Sequence, residues 1–220
     1  PNIKLLIVGN GNRIEFYKSQ VDRKKLSEFD NIDVSIITVD NTTKALGDIA
    51  KIWRKKLNAK VVAITGSSGK TTVKDMLADL LMEKFTVSKT KNNNNNHIGV
   101  PLTILNTNEK HQFLVAELGT NHFGEISYTS KIISPDYALI TNIGASHLQF
   151  LNNKNGVWKE KSSLFDETIR NNGKLFINYD DPLIKKYKVK RDCAVKYGSD
   201  PRTDVYGKIK KYNPSRDHSS

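Results

Sequence analysis

The stretch Lys60–Thr72, KVVAITGSSGKTT, decides the fold. Its first half is mostly apolar and rich in β-branched residues, the composition of a strand covered on both faces. Gly66-Ser67-Ser68-Gly69 breaks that run. From Lys70 the period changes, and Val73, Met76, Leu77, Leu80 and Leu81 fall on one side of a helix. Strand, glycine turn and helix in succession make an anion cradle. Glycines let backbone N–H groups approach a polyphosphate, the helix start adds its positive end, and Lys70 adds a point charge. Thr71 offers the hydroxyl that Mg²⁺ takes after such a lysine. Gly66, Ser67, Ser68, Gly69, Lys70, Thr71 and Thr72 are therefore the candidate residues for a nucleoside triphosphate. The common spacing has a further glycine five residues before Gly69, where this chain has Ile64, so a purely structural strand–helix turn is the competing reading.

Working outward, Leu46, Ile49, Trp53 and Leu57 recur at steps of three and four, predicting a helix over Thr42–Leu57 with Thr42 or Thr43 as its cap. Ile3–Val8 and Val34–Val39 read as strands, and Ile14–Phe29 as polar and helical. Downstream, Phe85–Ser88, Phe113–Glu117, Tyr137–Ile143 and Lys174–Asn178 are strand-like runs with helices or loops between them. The pattern predicts a three-layer α/β domain with a mainly parallel sheet, whose ligands lie beyond the carboxyl ends of the strands. Residues 1–40 are too few to bury a core of their own and read as a small partial domain ahead of a central domain over 41–220.

The composition adds mainly exclusions. With 35 Lys+Arg against 23 Asp+Glu the 220-residue chain carries +12, which invites a nucleic-acid reading. Basic residues thicken after Pro182, with 11 Lys and Arg against 4 Asp, but without aromatic interleaving like a stacking platform, finger spacing or a recognition helix, so a solvated basic surface is expected and no nucleic acid. The single cysteine, Cys193, excludes an internal disulfide and a thiolate metal cluster. No apolar run reaches the roughly 20 residues of a membrane span. A cytoplasmic monomer is the expectation.

Beyond the loop, three further segments carry a resemblance. Thr90–Leu102 (TKNNNNNHIGVPL), Ala116–Glu125 (AELGTNHFGE) and Ser134–His147 (SPDYALITNIGASH) follow GSSGKTT in the order and spacing of the Mur ligase family, whose shortened phosphate loop has the same TGxxGKT form. The resemblance covers roughly Asp40–Asp181 and is nearest the branch that joins D-alanyl-D-alanine to UDP-MurNAc-tripeptide. It implies an ATP-dependent amide-bond ligase of peptidoglycan precursor synthesis working through an acyl phosphate. Such enzymes have an N-terminal domain for the UDP substrate, a central ATP-binding domain and a C-terminal domain. Against that plan this chain reads as a piece lacking the C-terminal domain and part of the central one, able to bind Mg-ATP. A catalytically degraded nucleotide-binding module and a folylpolyglutamate synthase-like ligase are the alternatives.

The resemblance also implies site residues. Glu117, ending an apolar strand, would be a Mg²⁺ ligand with Thr71; as a buried carboxylate it needs a partner in any case. His147 would help hold a second Mg²⁺. Lys161, expected from KEKSS alone to be exposed, matches a lysine that the family carbamylates to make a further carboxylate near the metal. Lys70, His147 and Lys161 are thus the catalytic candidates. Asn95 and Asn96 would lie by the nucleotide and the UDP substrate. Together with His97, His122 and Glu125 they read equally as recognition groups or as loop-stabilising hydrogen-bonders. The chain departs from the family pattern at Asn92, where glycine is usual, and at Gln149, where glutamate is usual. Leu151-Asn152-Asn153 replaces Phe-Gly-Ser, Glu160 replaces a small residue, and Ser162-Ser163 replaces Gly-Glu.

Overall fold

The computed structural model describes residues 4–9, 34–145 and 148–208. Within these, β1 (Lys4–Gly9) and β2 (Val34–Val39) pair in parallel with each other. The expected helix over 14–29 and the chain after 208 lie outside the described residues. The main sheet has seven strands: β3 (Lys60–Thr65), β4 (Val87–Lys89), β5 (Phe113–Glu117), β6 (Tyr137–Ile140), β7 (Lys174–Asn178), β8 (Ala194–Gly198) and β9 (Val205–Tyr206). Their order is β4-β5-β3-β6-β7-β8-β9, with every pairing parallel.

Alternation along the central strands builds the three layers. Val61 and Ala63 of β3, with Leu114 and Ala116 of β5, face one core, under α1 (Thr42–Lys56), α3 (Gly99–Leu105), α4 (Glu125–Ile133) and α6 (Lys154–Arg170). Val62, Ile64 and Val115 face the other, under α2 (Lys70–Met82). A run apolar at every position is what a strand between two helical layers needs, and KVVAIT meets that need. A one-turn helix, α5 (Leu148–Leu151), precedes α6.

Several details differ from the sequence reading. The cap of α1 is Asn41, whose side chain accepts from the Lys44 N–H at 2.8 Å, so Thr42 and Thr43 lie inside the helix. On α2, Val73, Leu77 and Leu81 pack on the sheet beside buried Ala78, whereas Met76 and Leu80 are 61% and 71% exposed. Among the described residues α2 is the one helix packed on that face, and it offers the sheet only a narrow stripe. The fourth strand begins at Val87 rather than Phe85, and β6 ends at Ile140, releasing Thr141–Ile143 into a loop. β8 and β9 were not anticipated: AVKYG is short, with charge in its middle, and every residue of β8 is only partly buried. Among the described residues no helix is long and apolar enough to cross a membrane.

β3 lies between β5 and β6, so the chain turns in opposite directions on its two sides. The loops after β3, β5 and β6 therefore converge at one edge, the topological crevice of a doubly wound sheet. At the opposite edge Asp136 ties the layers together. It accepts from the Val61 N–H at 2.9 Å, from Lys60 at 2.9 Å and from Arg54 at 3.2 Å. Asp136→Ala leaves a strand N–H and the partly buried Arg54 without that acceptor. It is expected to lower unfolding free energy by about 2 kcal/mol, read from the midpoint of a urea transition.

Candidate functional site

The loop after β3 is held open by its neighbours. Gly66 has φ of 152°, and a Cβ there would collide with the Thr141 side chain; Gly69, at φ 75°, is the left-handed residue that opens α2. Neither conformation suits a residue with a side chain. The Ser67 N–H donates to the Asn142 carbonyl at 3.0 Å, and the Ser67 hydroxyl accepts from the Gly144 N–H at 2.8 Å. The Asn142 side chain receives the Ser68 N–H at 3.2 Å, and the Thr141 hydroxyl donates to the Ser68 carbonyl at 2.6 Å. Asn142 and Thr141 are supports the sequence reading passed over, although both lie in TNIGASH. That loop is fixed in turn from β7: Asn178 donates to the Thr141 carbonyl, and buried Asp181 accepts from the Ile143 N–H, each at 2.8 Å. Lys70 folds back on the loop, its Nζ 3.0 Å from the Gly66 carbonyl. Thr72 is exposed on the first turn of α2.

Glu117, 2% exposed at the end of β5, is the centre of the arrangement. Its Oε2 accepts from the Thr71 hydroxyl at 2.8 Å and its Oε1 from the Asn95 amide at 2.9 Å. Its own N–H donates to the Thr90 hydroxyl, and the Thr90 carbonyl accepts from buried Lys74 at 3.0 Å. Both donors to the carboxylate are neutral, and among the described residues it forms no ion pair. A buried carboxylate beside a hydroxyl, with no countercharge in contact, has the oxygen chemistry that a hard divalent cation takes up. No group of three or more His, Cys, Asp or Glu side chains forms a metal cage among the described residues. Mg²⁺ does not require one, since it keeps waters and phosphate oxygens as ligands.

Lys161, expected to be exposed from its neighbours in sequence, is 1% exposed on the inner face of α6. Burial, with added repulsion from Lys70 and partial opposition from Glu160, pushes it from 10.5 down to about 8. Its Nζ makes no hydrogen bond among the described residues. It shares a cavity of about 230 Å³ with Lys70, Asn95, Asn96, His97, Gly119, Thr120, Asn121 and Glu125. A second cavity of about 440 Å³ lies beside Thr71, lined by Lys74, Lys89, Thr90, Asn92 and Asn93 among others. The structure thus brings Lys70, Thr71, Asn95, Asn96, Glu117 and Lys161 to one edge of the sheet. His147 lies outside the described residues. Asn96 also caps the turn into α3, accepting from the Gly99 N–H at 2.8 Å. At the start of α4, burial opposes ionisation of Glu125. The Asn121 and His122 N–H groups, at 2.6 and 3.1 Å, outweigh it and hold the carboxyl below its ordinary range.

The departures from the family pattern have local explanations. Asn92 and Asn152 have φ of 50° and 66°, so each keeps the left-handed backbone that glycine would supply, and asparagine tolerates it best among other residues. Asn153 caps α6, its side chain accepting from the Gly156 N–H at 3.0 Å, as serine would. Glu160 is buried and accepts from the Gly124 and Ile126 N–H groups at 2.7 and 2.8 Å. It thereby replaces the cap that Gly124 cannot give α4. Gln149 is exposed, and Ser162 and Ser163 bond back to carbonyls of their own helix.

A parallel sheet, a glycine loop on its central strand and a hydroxyl–carboxylate pair beside it define a phosphate-loop α/β protein. The Mur ligase middle domain model matches residues 64–220, well over half of the chain, and the chain belongs to the Mur ligase family. It is 45% identical over 155 residues to the UDP-N-acetylmuramoyl-tripeptide--D-alanyl-D-alanine ligase of Haemophilus influenzae, covering 69% of this chain and 34% of that protein. The Bacillus subtilis enzyme of the same name is 39% identical over 171 residues, covering 77% and 36%. The crystal structure of the MurF ligase from Thermotoga maritima in complex with ADP superposes with a TM-score of 0.74 at 29% identity, covering 89% of this chain and 47% of that one. The chain therefore spans about a third of the length of these curated relatives.

The backbone account of the asparagines has a direct check. Asn92→Val and Asn152→Val are each expected to cost about 1–2 kcal/mol in chemical denaturation, while the glycine variants stay near the parent.

Proposed function

We propose that this chain is the ATP-binding part of a ligase that joins D-alanyl-D-alanine to UDP-MurNAc-tripeptide in peptidoglycan precursor synthesis. The observation that carries this reading is Glu117, buried and shared between Thr71 and Asn95 directly beside the glycine loop. The two named relatives support the choice of substrates. In this reading residues 41–220 belong to the central domain, residues 1–40 belong to the domain for the UDP substrate, and the protein is a cytoplasmic monomer.

The backbone N–H groups of Gly66–Gly69 and the start of α2 receive the triphosphate, and Lys70 leaves the Gly66 carbonyl to meet the β and γ phosphates. Thr72 follows on the same turn. Thr71 and Glu117, with Lys161 and by family resemblance His147, would hold Mg²⁺. When bound, the ion neutralises phosphate charge as the γ-phosphoryl group passes to the substrate carboxylate. The resulting acyl phosphate is attacked by the incoming amine; a C–N bond forms, phosphate leaves with the C–O electron pair, and the nitrogen gives up one proton to solvent. Asn95 and Asn96 orient the nucleotide and the UDP substrate. Lys161 would act as its carbamate. At about pH 8 half of it is the neutral amine, which adds to CO₂ and releases a proton to give the carboxylate.

Titration calorimetry with Mg-ATP tests the reading. Lys70→Ala is expected to weaken binding at least about tenfold, and Glu117→Gln to reduce the dependence on Mg²⁺. Unchanged affinity in Lys70→Ala would sink the phosphate-loop assignment. Lys161 gives a pH signature. Its folded pKa lies below the ordinary value, so its burial penalty is full below about 8 and fades as pH rises toward 10.5. In CO₂-free buffer at about pH 7, Lys161→Met should be more stable to urea by about 2 kcal/mol, and the gap should shrink with rising pH across that window.

A further inference from the structure

His122 stands in the loop between β5 and α4 and Glu125 opens α4, and the phosphate chemistry above uses neither. Glu125 closes the loop through the Asn121 and His122 N–H groups. Its second oxygen lies 3.4 Å from Nδ1 of His122. The imidazole also rests against the Phe150 ring, with centroids 4.4 Å apart at 49°. Closure of the loop does not need the ring, because the backbone bonds already supply it. The ring is instead presented outward: the His122 side chain is 59% exposed and Phe150 is 45% exposed.

The three groups share one chemistry. A carboxylate on Nδ1 favours the tautomer with the proton there, leaving Nε2 as an acceptor. An exposed aromatic face attracts a cation, and Glu125 adds a negative charge. Carboxylate, nitrogen lone pair and ring together suit a primary ammonium group. The adjoining cavity, which Glu125 also lines, carries Lys70, whose ammonium repels cations and receives anions. The site is divided by charge, anionic groups inside and an amine at the rim.

We propose that His122, Glu125 and Phe150 form the binding site for a primary ammonium group of the substrate. This rests on the ligase reading above. Two amines fit the chemistry: the N-terminus of the incoming dipeptide, or a side-chain ammonium of the peptide already attached to the UDP-sugar.

The test follows the His122 ring by NMR in the ¹³C-histidine-labelled chain, with the signal assigned by its loss in His122→Gln. D-alanyl-D-alanine, its N-acetylated form and Nα-acetyl-lysine amide are titrated separately. A saturable shift with a free amine, absent with the acetylated dipeptide, is expected. A response to the dipeptide alone assigns the acceptor amine, and one to the lysine probe alone assigns a side chain. Phe150→Leu, a change at an exposed ring, should weaken that response about three- to tenfold without altering the fold. With a chain of net charge +12, diffuse attraction of an ammonium is no competing explanation. No saturable shift up to ~20 mM, or an equal shift with the acetylated dipeptide, overturns the proposal. Mg-ATP is titrated in the same samples against the backbone amides of Gly69 and Lys70. A nucleotide response without an amine response removes the ammonium site alone. The opposite result removes the ligase reading and leaves the ammonium site.

Discussion

The Glu117 carboxylate, kept 2% exposed between two neutral donors, is the constraint around which the rest is arranged. A charge in that position needs hydrogen bonds from fixed groups, and each of its donors is fixed by a different element. Thr71 is set by the start of α2 and Asn95 by the segment leading to α3, while the Thr90 hydroxyl just after β4 accepts from the Glu117 backbone N–H. The buried charge therefore draws the glycine loop, the asparagine segment and the tip of β5 into one cluster. The burial that makes this carboxylate costly also makes it strong toward a cation, because little solvent screens it.

Much of this was legible in the sequence where one local rule acts alone. KVVAIT became β3 with its boundaries intact, and FLVAE and KLFIN became β5 and β7 likewise, because unbroken apolar runs between polar turns have few alternatives in a covered parallel sheet. Met76 and Leu80 misled because periodicity marks a helix's apolar side but not how wide a surface the sheet offers it. β8 and β9 escaped notice because partial burial at the edge of a sheet asks for no apolar run. Of the candidate site, the loop and Glu117 could be placed from residue type and position. Lys161 could not: KEKSS is a polar string, and only the orientation of α6 turns that lysine inward.

Glu160 shows the limit of residue-type matching. In sequence it is a charged residue where a small one is usual. In the fold it supplies acceptors to the uncapped start of α4 and joins the helix that carries Lys161 to the loop that carries His122. Asn92 and Asn152 teach the same lesson from the backbone, since the feature retained there is a dihedral angle rather than a side chain. Departures of this kind alter letters while keeping the conformations and hydrogen bonds that shape the cavity.

The alternation of β3 between two cores carries a consequence for the timescale of motion at the crevice. Val61 and Ala63 lie in one apolar layer, Val62 and Ile64 in the other, and Gly66 follows directly. For the loop to detach at its root, the strand must leave both layers at once, so its amides should open only with global unfolding. The loops after β5 and β6 are rooted the same way, since Leu114, Ala116, Ala138 and Ile140 lie in one layer and Val115 and Leu139 in the other. The molecule thus offers a ligand a floor whose strands open together, and the phosphate cradle, bonded to the loop after β6, shares that rigidity.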